Sequence, residues 1–113
     1  MKYVLLIYND EQSWADLAEP ERQQIYLEYR QLIQELQSNG KYLTGEQLQP
    51  AKSSSTVRVR EGNTMMIDGP FAETREQIGG FFIVDVNDAQ EAAEIAARIP
   101  SARDGAIEIR PVA

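Results

Sequence analysis

The chain reads as an α+β domain of the ferredoxin-like kind. Two split βαβ units build one antiparallel sheet with both helices on the same face, and a β-hairpin is inserted between the two halves. Three observations predict this. Residues 2–8 and 80–86 are short runs that are apolar on both faces, as strands covered from both sides must be. Each run is followed by a helical pattern and then a further strand. Between the halves stands a strictly alternating segment with its own turn. At 113 residues the chain makes a single domain over positions 1–113, long enough to bury roughly two-thirds of its unfolded surface.

The elements follow in order. In residues 2–8, Tyr3, Leu5 and Ile7 fall on one face and Val4, Leu6 and Tyr8 on the other. Pro20 suits a first helical position, and Glu19 and Glu21 sit at the positive end of the helix dipole. Ile25, Tyr29, Leu32, Ile33 and Leu36 recur at helical spacing, and Ser38-Asn39-Gly40 ends the helix with glycine in the C-cap region. Residues 41–48 read as extended, and Ser53-Ser54-Ser55 as a short connection. Residues 56–60 alternate, Glu61-Gly62-Asn63 turns, and residues 64–67 return, which makes a hairpin.

After the doubly apolar strand at 80–86, Asp88 is placed to cap a helix, with Glu91 three residues on. That helix is rich in alanine (Ala89, Ala92, Ala93, Ala96 and Ala97), so it can lie close to a sheet, and Pro100 ends it. Residues 106–110 form the last strand, stopped by Pro111. Two helices cover one face of the sheet only. The other face keeps half of the apolar residues of the two central strands, too large a patch for a monomer in water. A second copy laid against it in two-fold symmetry would bury it, so the chain is expected to be a homodimer.

Composition excludes several functions. With 18 acidic against 11 basic residues and a formal charge of −7, the surface opposes the phosphate contacts on which nucleic-acid binding depends. No segment approaches the length of apolar residues that a membrane span needs, and residues 1–8 do not form a secretory leader, so the expected location is the cytoplasm. Without cysteine or histidine the chain lacks the parts of a Ser-His-Asp or Cys-His site, a typical zinc site or a histidine-ligated haem. No metal or cofactor is expected. Acid–base chemistry would fall to Asp, Glu, Tyr or one of three lysines.

The densest group of special residues is Asp68-Gly69-Pro70-Phe71-Ala72-Glu73-Thr74-Arg75-Glu76-Gln77-Ile78-Gly79-Gly80-Phe81-Phe82. Together with residues 1–8, Thr44-Gly45-Glu46-Gln47-Leu48 and Ala97-Arg98-Ile99-Pro100-Ser101-Ala102-Arg103, it resembles the YCII-related proteins, in particular the DGPF branch named for its Asp-Gly-Pro-Phe motif. The resemblance runs the length of the chain in the family's order. It implies a dimeric α+β barrel and a small-molecule site, since better-studied barrel relatives are isomerases, cofactor-less oxygenases and haem proteins. It also suggests a link to extracytoplasmic-function sigma factors, beside which such proteins are often encoded. A His–Asp dyad has been proposed for some members; this histidine-free chain cannot form one.

The candidate site residues each carry two readings. Asp68 is either a turn brace or a catalytic carboxylate aimed by Gly69 and Pro70. Phe71 is either a core plug or a surface on which a ligand stacks. Arg75 belongs to a solvated charge cluster or grips a carboxylate bidentately. Tyr8 packs in a core or presents its hydroxyl to a barrel cavity. Gly79-Gly80 admits the close approach of a ligand or of a neighbouring strand. The expected function is therefore that of a small-molecule-binding homodimer with possible cofactor-independent activity at Asp68. The alternative is a non-catalytic sensing or interaction module tied to sigma-factor regulation.

Overall fold

The computed structural model describes residues 1–113. Its elements are β1 (Lys2–Asp10), α1 (Glu11–Ala15), α2 (Glu19–Ser38), β2 (Tyr42–Gln47), β3 (Ser55–Arg60), β4 (Asn63–Asp68), β5 (Glu76–Asp85), α3 (Ala89–Arg98) and β6 (Ala106–Pro111), with single 3₁₀ turns at Ala51–Ser53 and Pro100–Arg103. Four strands form one sheet in the order β2-β5-β1-β6, every neighbouring pair antiparallel, while β3 and β4 pair only with each other. This is the ferredoxin-like arrangement with its hairpin insert.

The period of the strands sets the layers. Tyr3, Leu5 and Ile7 of β1 and Phe82 and Val84 of β5 join Leu32 and Leu36 of α2 and Ala92, Ile95 and Ala96 of α3 in one buried cluster. Completely buried side chains such as Leu5, Val84 and Ile99 each contribute about 1.5–3 kcal/mol on leaving water. Helix ends follow local chemistry. The Asp88 side chain accepts from the Glu91 N–H at 2.9 Å, and the Glu91 carboxylate accepts from the Asn87 N–H at 3.2 Å. Gly40, at φ +70°, turns the chain out of α2.

Two segments differ from the sequence expectation. The short helix α1 has no apolar periodicity to announce it. It forms because Asp10 caps it, accepting from the N–H groups of Gln12 and Ser13. Strand β5 begins four residues earlier than the apolar run, because the register steps from Ile7↔Gly80 to Tyr8↔Ile78. Gly79 is the extra residue of a bulge, so pairing continues through the polar Gln77 and Glu76.

Where α2 and α3 cover one face, the other is open. The register places Val4, Leu6 and Tyr8 beside Ile83, Phe81 and Ile78 on that face. The hairpin β3–β4 also stands away from the core, leaving Val57, Val59, Met66 and Ile67 exposed. The radius of gyration, 15.9 Å, accordingly exceeds the roughly 13 Å of a compact chain of this length.

Candidate functional site

A cavity of about 340 Å³ opens between the helix layer and the sheet. Its floor is sheet: Ile7, Phe82 and the glycines Gly45, Gly79 and Gly80. Its roof is α2 and α1, through Tyr26, Tyr29, Ile33, Trp14 and Ala15. Tyr42, Leu48, Pro50 and Ser101 close its sides.

Three positions of the floor carry no side chain. Gly45 pairs with Phe82 and Gly80 with Gln47, on the face that looks at the helices. A Cβ at Gly45 would lie 2.5 Å from the Tyr42 hydroxyl and 2.7 Å from the Phe81 carbonyl oxygen; one at Gly80 would lie 2.8 Å from the Glu46 carbonyl oxygen. Real Cβ atoms do not come so close, so glycine is required at both positions for close approach of strand to strand and ring to backbone.

The aromatic rings hold one another edge-on. Tyr42 meets Phe82 at 5.3 Å between centroids, Tyr29 meets Phe82 at 6.2 Å, and Trp14 meets Tyr26 at 5.5 Å. Each such pair contributes about 0.5–1.5 kcal/mol beyond the area it buries, so the walls are set before any ligand arrives. The polar groups are tied as well. The Tyr29 and Ser101 hydroxyls share a hydrogen bond of 2.8 Å, Gln47 Nε2 donates to the Tyr26 hydroxyl at 3.3 Å, and Glu11 Oε2 accepts from the Ala51 N–H at 2.8 Å. Burial pushes the Tyr29 phenol above its ordinary value against the opposing pull of the Ser101 hydrogen bond. Burial and then the Glu46 charge raise that of Tyr42. Both phenols are therefore neutral at physiological pH, and serve as hydrogen-bonding groups rather than bases.

Of the residues singled out in the sequence, Gly79 and Gly80 line this cavity, and the others lie elsewhere. Asp68, Gly69, Pro70 and Phe71 sit at the base of the hairpin, and neither they nor Arg75 nor Tyr8 line this cavity. Gly69 adopts φ +106°, which glycine alone tolerates easily. Its N–H donates to the Ser54 carbonyl at 2.7 Å and its own carbonyl accepts from the Thr56 hydroxyl at 2.9 Å. The Asp-Gly-Pro segment thereby closes the hairpin, with the Asp68 side chain exposed.

Phe71 is no core plug within the chain: it is 74% exposed, with the Arg58 guanidinium 4.9 Å above its ring. The hairpin base stands off from the core, so the chain has no surface of its own to cover it. Arg75 pairs with Asp10 at 3.0 Å rather than with Asp68. That hydrogen bond, with the N–H groups of Ser13 and Gln12, holds the Asp10 carboxyl below its ordinary value. Tyr8 is half-buried on the open sheet face.

Sequence reasoning missed Trp14 and Tyr26. One signal was available: Tyr26, Tyr29 and Ile33 share one face of α2 at spacings of three and four, so that two rings stand where a plain core helix would carry aliphatic side chains. No group of three or more acidic side chains is placed to hold a metal ion, and no helix is long and apolar enough to cross a membrane.

Comparison with known proteins places the chain in context. The model of the YCII-related domain matches residues 1–113. An uncharacterised protein of Rhizobium meliloti (strain 1021) is 32% identical over 115 residues, spanning 100% of this chain and 93% of the relative.

Proposed function

The chain belongs to the YCII-related family, and from that premise we propose that it is a small-molecule-binding homodimer whose ligand occupies the aromatic cavity beneath α1 and α2. The observation that carries this reading is the cavity itself. At about 340 Å³ it falls within the roughly 300–1,000 Å³ of small-molecule sites. It has the usual make-up of such sites: a mostly apolar wall with a few fixed polar groups. The reading is binding rather than turnover, because its neutral phenols and its tethered Glu11 offer no evident base.

The second copy belongs to the same reading. The open face of Val4, Leu6, Tyr8, Ile78, Phe81 and Ile83 needs a cover, and a two-fold mate supplies the same apolar surface in return. Tyr8 then becomes an interface residue, and the exposed Phe71 and hairpin become surfaces for the partner. Asp68 would join a site only where that partner closes over the hairpin base.

The test uses the single tryptophan, Trp14, which lines the cavity. Small aromatic compounds should quench its fluorescence saturably. Ala15→Phe, which fills the cavity from the exposed helix α1, should abolish that quenching while leaving the circular dichroism unchanged. Quenching that persists at full strength in Ala15→Phe would rule the cavity out as the site.

A further inference from the structure

We propose that the cavity selects ligands that carry an amine or quaternary ammonium head on an apolar or aromatic body, and rejects their carboxylate counterparts. The inference rests on the reading of the cavity as a binding site and adds the class of ligand to it.

The charge of the lining has one sign. Among the eighteen residues around the cavity there is no lysine or arginine; of the two acidic ones, Glu11 stands at its wall, while Glu46 pairs with Phe81 on the open face of the sheet and meets Gly80 through its backbone carbonyl. Glu11 is held in place, because its Oε2 accepts from the Ala51 N–H at 2.8 Å and so ties α1 to the turn that follows β2. A fixed carboxylate in a partly dry wall attracts a cation far more strongly than one in open water, and repels an anion by as much. The rest of the wall adds to this preference. Five aromatic side chains, those of Trp14, Tyr26, Tyr29, Tyr42 and Phe82, border the space. Their negative ring faces attract ammonium groups, and cages of such rings are how quaternary ammonium ligands are held elsewhere in biology.

A phenol is neutral at physiological pH in any case, and burial pushes those of Tyr29 and Tyr42 further from ionisation. Their rings offer π faces to a cation, and their hydroxyl oxygens can also accept a hydrogen bond from an amine. A carboxylate finds only neutral donors among these side chains (hydroxyl, amide and the Trp14 indole N–H), with no cation to balance it. The chain as a whole, at −7, biases encounter in the same direction.

The test compares three molecules with one shared body: phenylbutylamine, phenylbutanol and phenylbutyrate. Each is titrated into the full chain at neutral pH, followed by Trp14 fluorescence and by calorimetry. The amine should bind about tenfold more tightly than the alcohol, the scale of a partly desolvated cation–π contact, and the carboxylate should bind most weakly. Glu11→Gln keeps the shape and an acceptor for the Ala51 N–H. It should cut amine affinity several-fold and that of the alcohol by clearly less. If all three bind equally, or the carboxylate binds best, the charge preference is overturned and the cavity stands as a site. If Glu11→Gln weakens the alcohol as much as the amine, the role of its charge is overturned. If none of the three shows saturable binding in the native chain, both the preference and the site are overturned.

Discussion

Removing the hydroxyl bond between Tyr29 and Ser101 tests whether the cavity wall is also a brace of the fold. The two residues are 72 positions apart, one on α2 and one in the turn after α3, and their oxygens lie 2.8 Å from each other. A neutral hydrogen bond contributes about 0.5–1.5 kcal/mol net, and a hydroxyl stranded in a sealed interior costs up to about 3. Here both groups border the cavity, so a hydroxyl left alone can turn towards water, and the lower figure applies.

Tyr29→Phe and Ser101→Ala should each cost about 1 kcal/mol, and the double variant also about 1 rather than 2. The coupling energy is then about 1 kcal/mol, clear of the roughly 0.3–0.5 within which independent sites add. In a domain of this size each single variant should melt about 5 °C lower. Urea unfolding at one fixed protein concentration measures all four chains, the fixed concentration being needed because association shifts apparent stability. The midpoint should fall with the slope unchanged. A double variant whose cost equals the sum of the singles would show that the bond does not join the two elements energetically.

Three further outcomes are expected. Leu6→Glu puts a charge at the centre of the open sheet face, and light scattering at micromolar concentration should show a dimer for the native chain and a monomer for the variant; a native monomer sinks the dimer reading. On acidification stability should fall, because folding lowers the pKa of Asp10 through the Arg75 hydrogen bond, of Glu35 through Arg98 and of Glu91 through Lys41. A depressed folded pKa gives stability that is in place above the unfolded value and lost as pH falls through the folded one. With no histidine or cysteine to titrate, melting temperatures should be level from about pH 6 to 8 and decline once the carboxylates begin to protonate, and a transition near neutrality would contradict this. Asp68→Asn removes the charge of an exposed side chain, so stability should change by less than about 0.5 kcal/mol and ligand titration at Trp14 not at all; a lost ligand response would return Asp68 to the site.

Much of this protein could be read from residue order alone, and the reason is periodicity. Alternation along residues 2–8 and 80–86 sorts their side chains into two apolar faces, and the structure turns the set of Tyr3, Leu5, Ile7, Phe82 and Val84 to the helices and buries it. The stripe of Tyr29, Leu32, Ile33 and Leu36 packs as its spacing requires. Caps and breakers are local as well, so Asp88 with Glu91 and Gly40 could be placed with no knowledge of the fold. Family membership was legible for a different reason, since the motifs occur along the whole chain in a fixed order.

The cavity could not be read, because no single segment contains it. Trp14 from α1, Tyr26 and Tyr29 from α2, Tyr42 and Gly45 from β2 and Gly80 and Phe82 from β5 meet only once the sheet order β2-β5-β1-β6 brings their strands and helices together. The sequence drew attention to Asp68 and Arg75, which are conspicuous in a row, but the fold gives Arg75 to Asp10 across 65 positions and leaves Asp68 on the hairpin. Phe71 makes the same point. Its hydrophobicity is a property of the residue and predicts burial, but whether a surface is there to bury it depends on where the hairpin stands, and within this chain it stands clear of the core. Pattern along the chain determined the elements and the sorting of their side chains into faces, because those follow from bond geometry and neighbours a few residues away. The site was decided by tertiary structure, because an empty space is defined by what several distant segments leave unfilled.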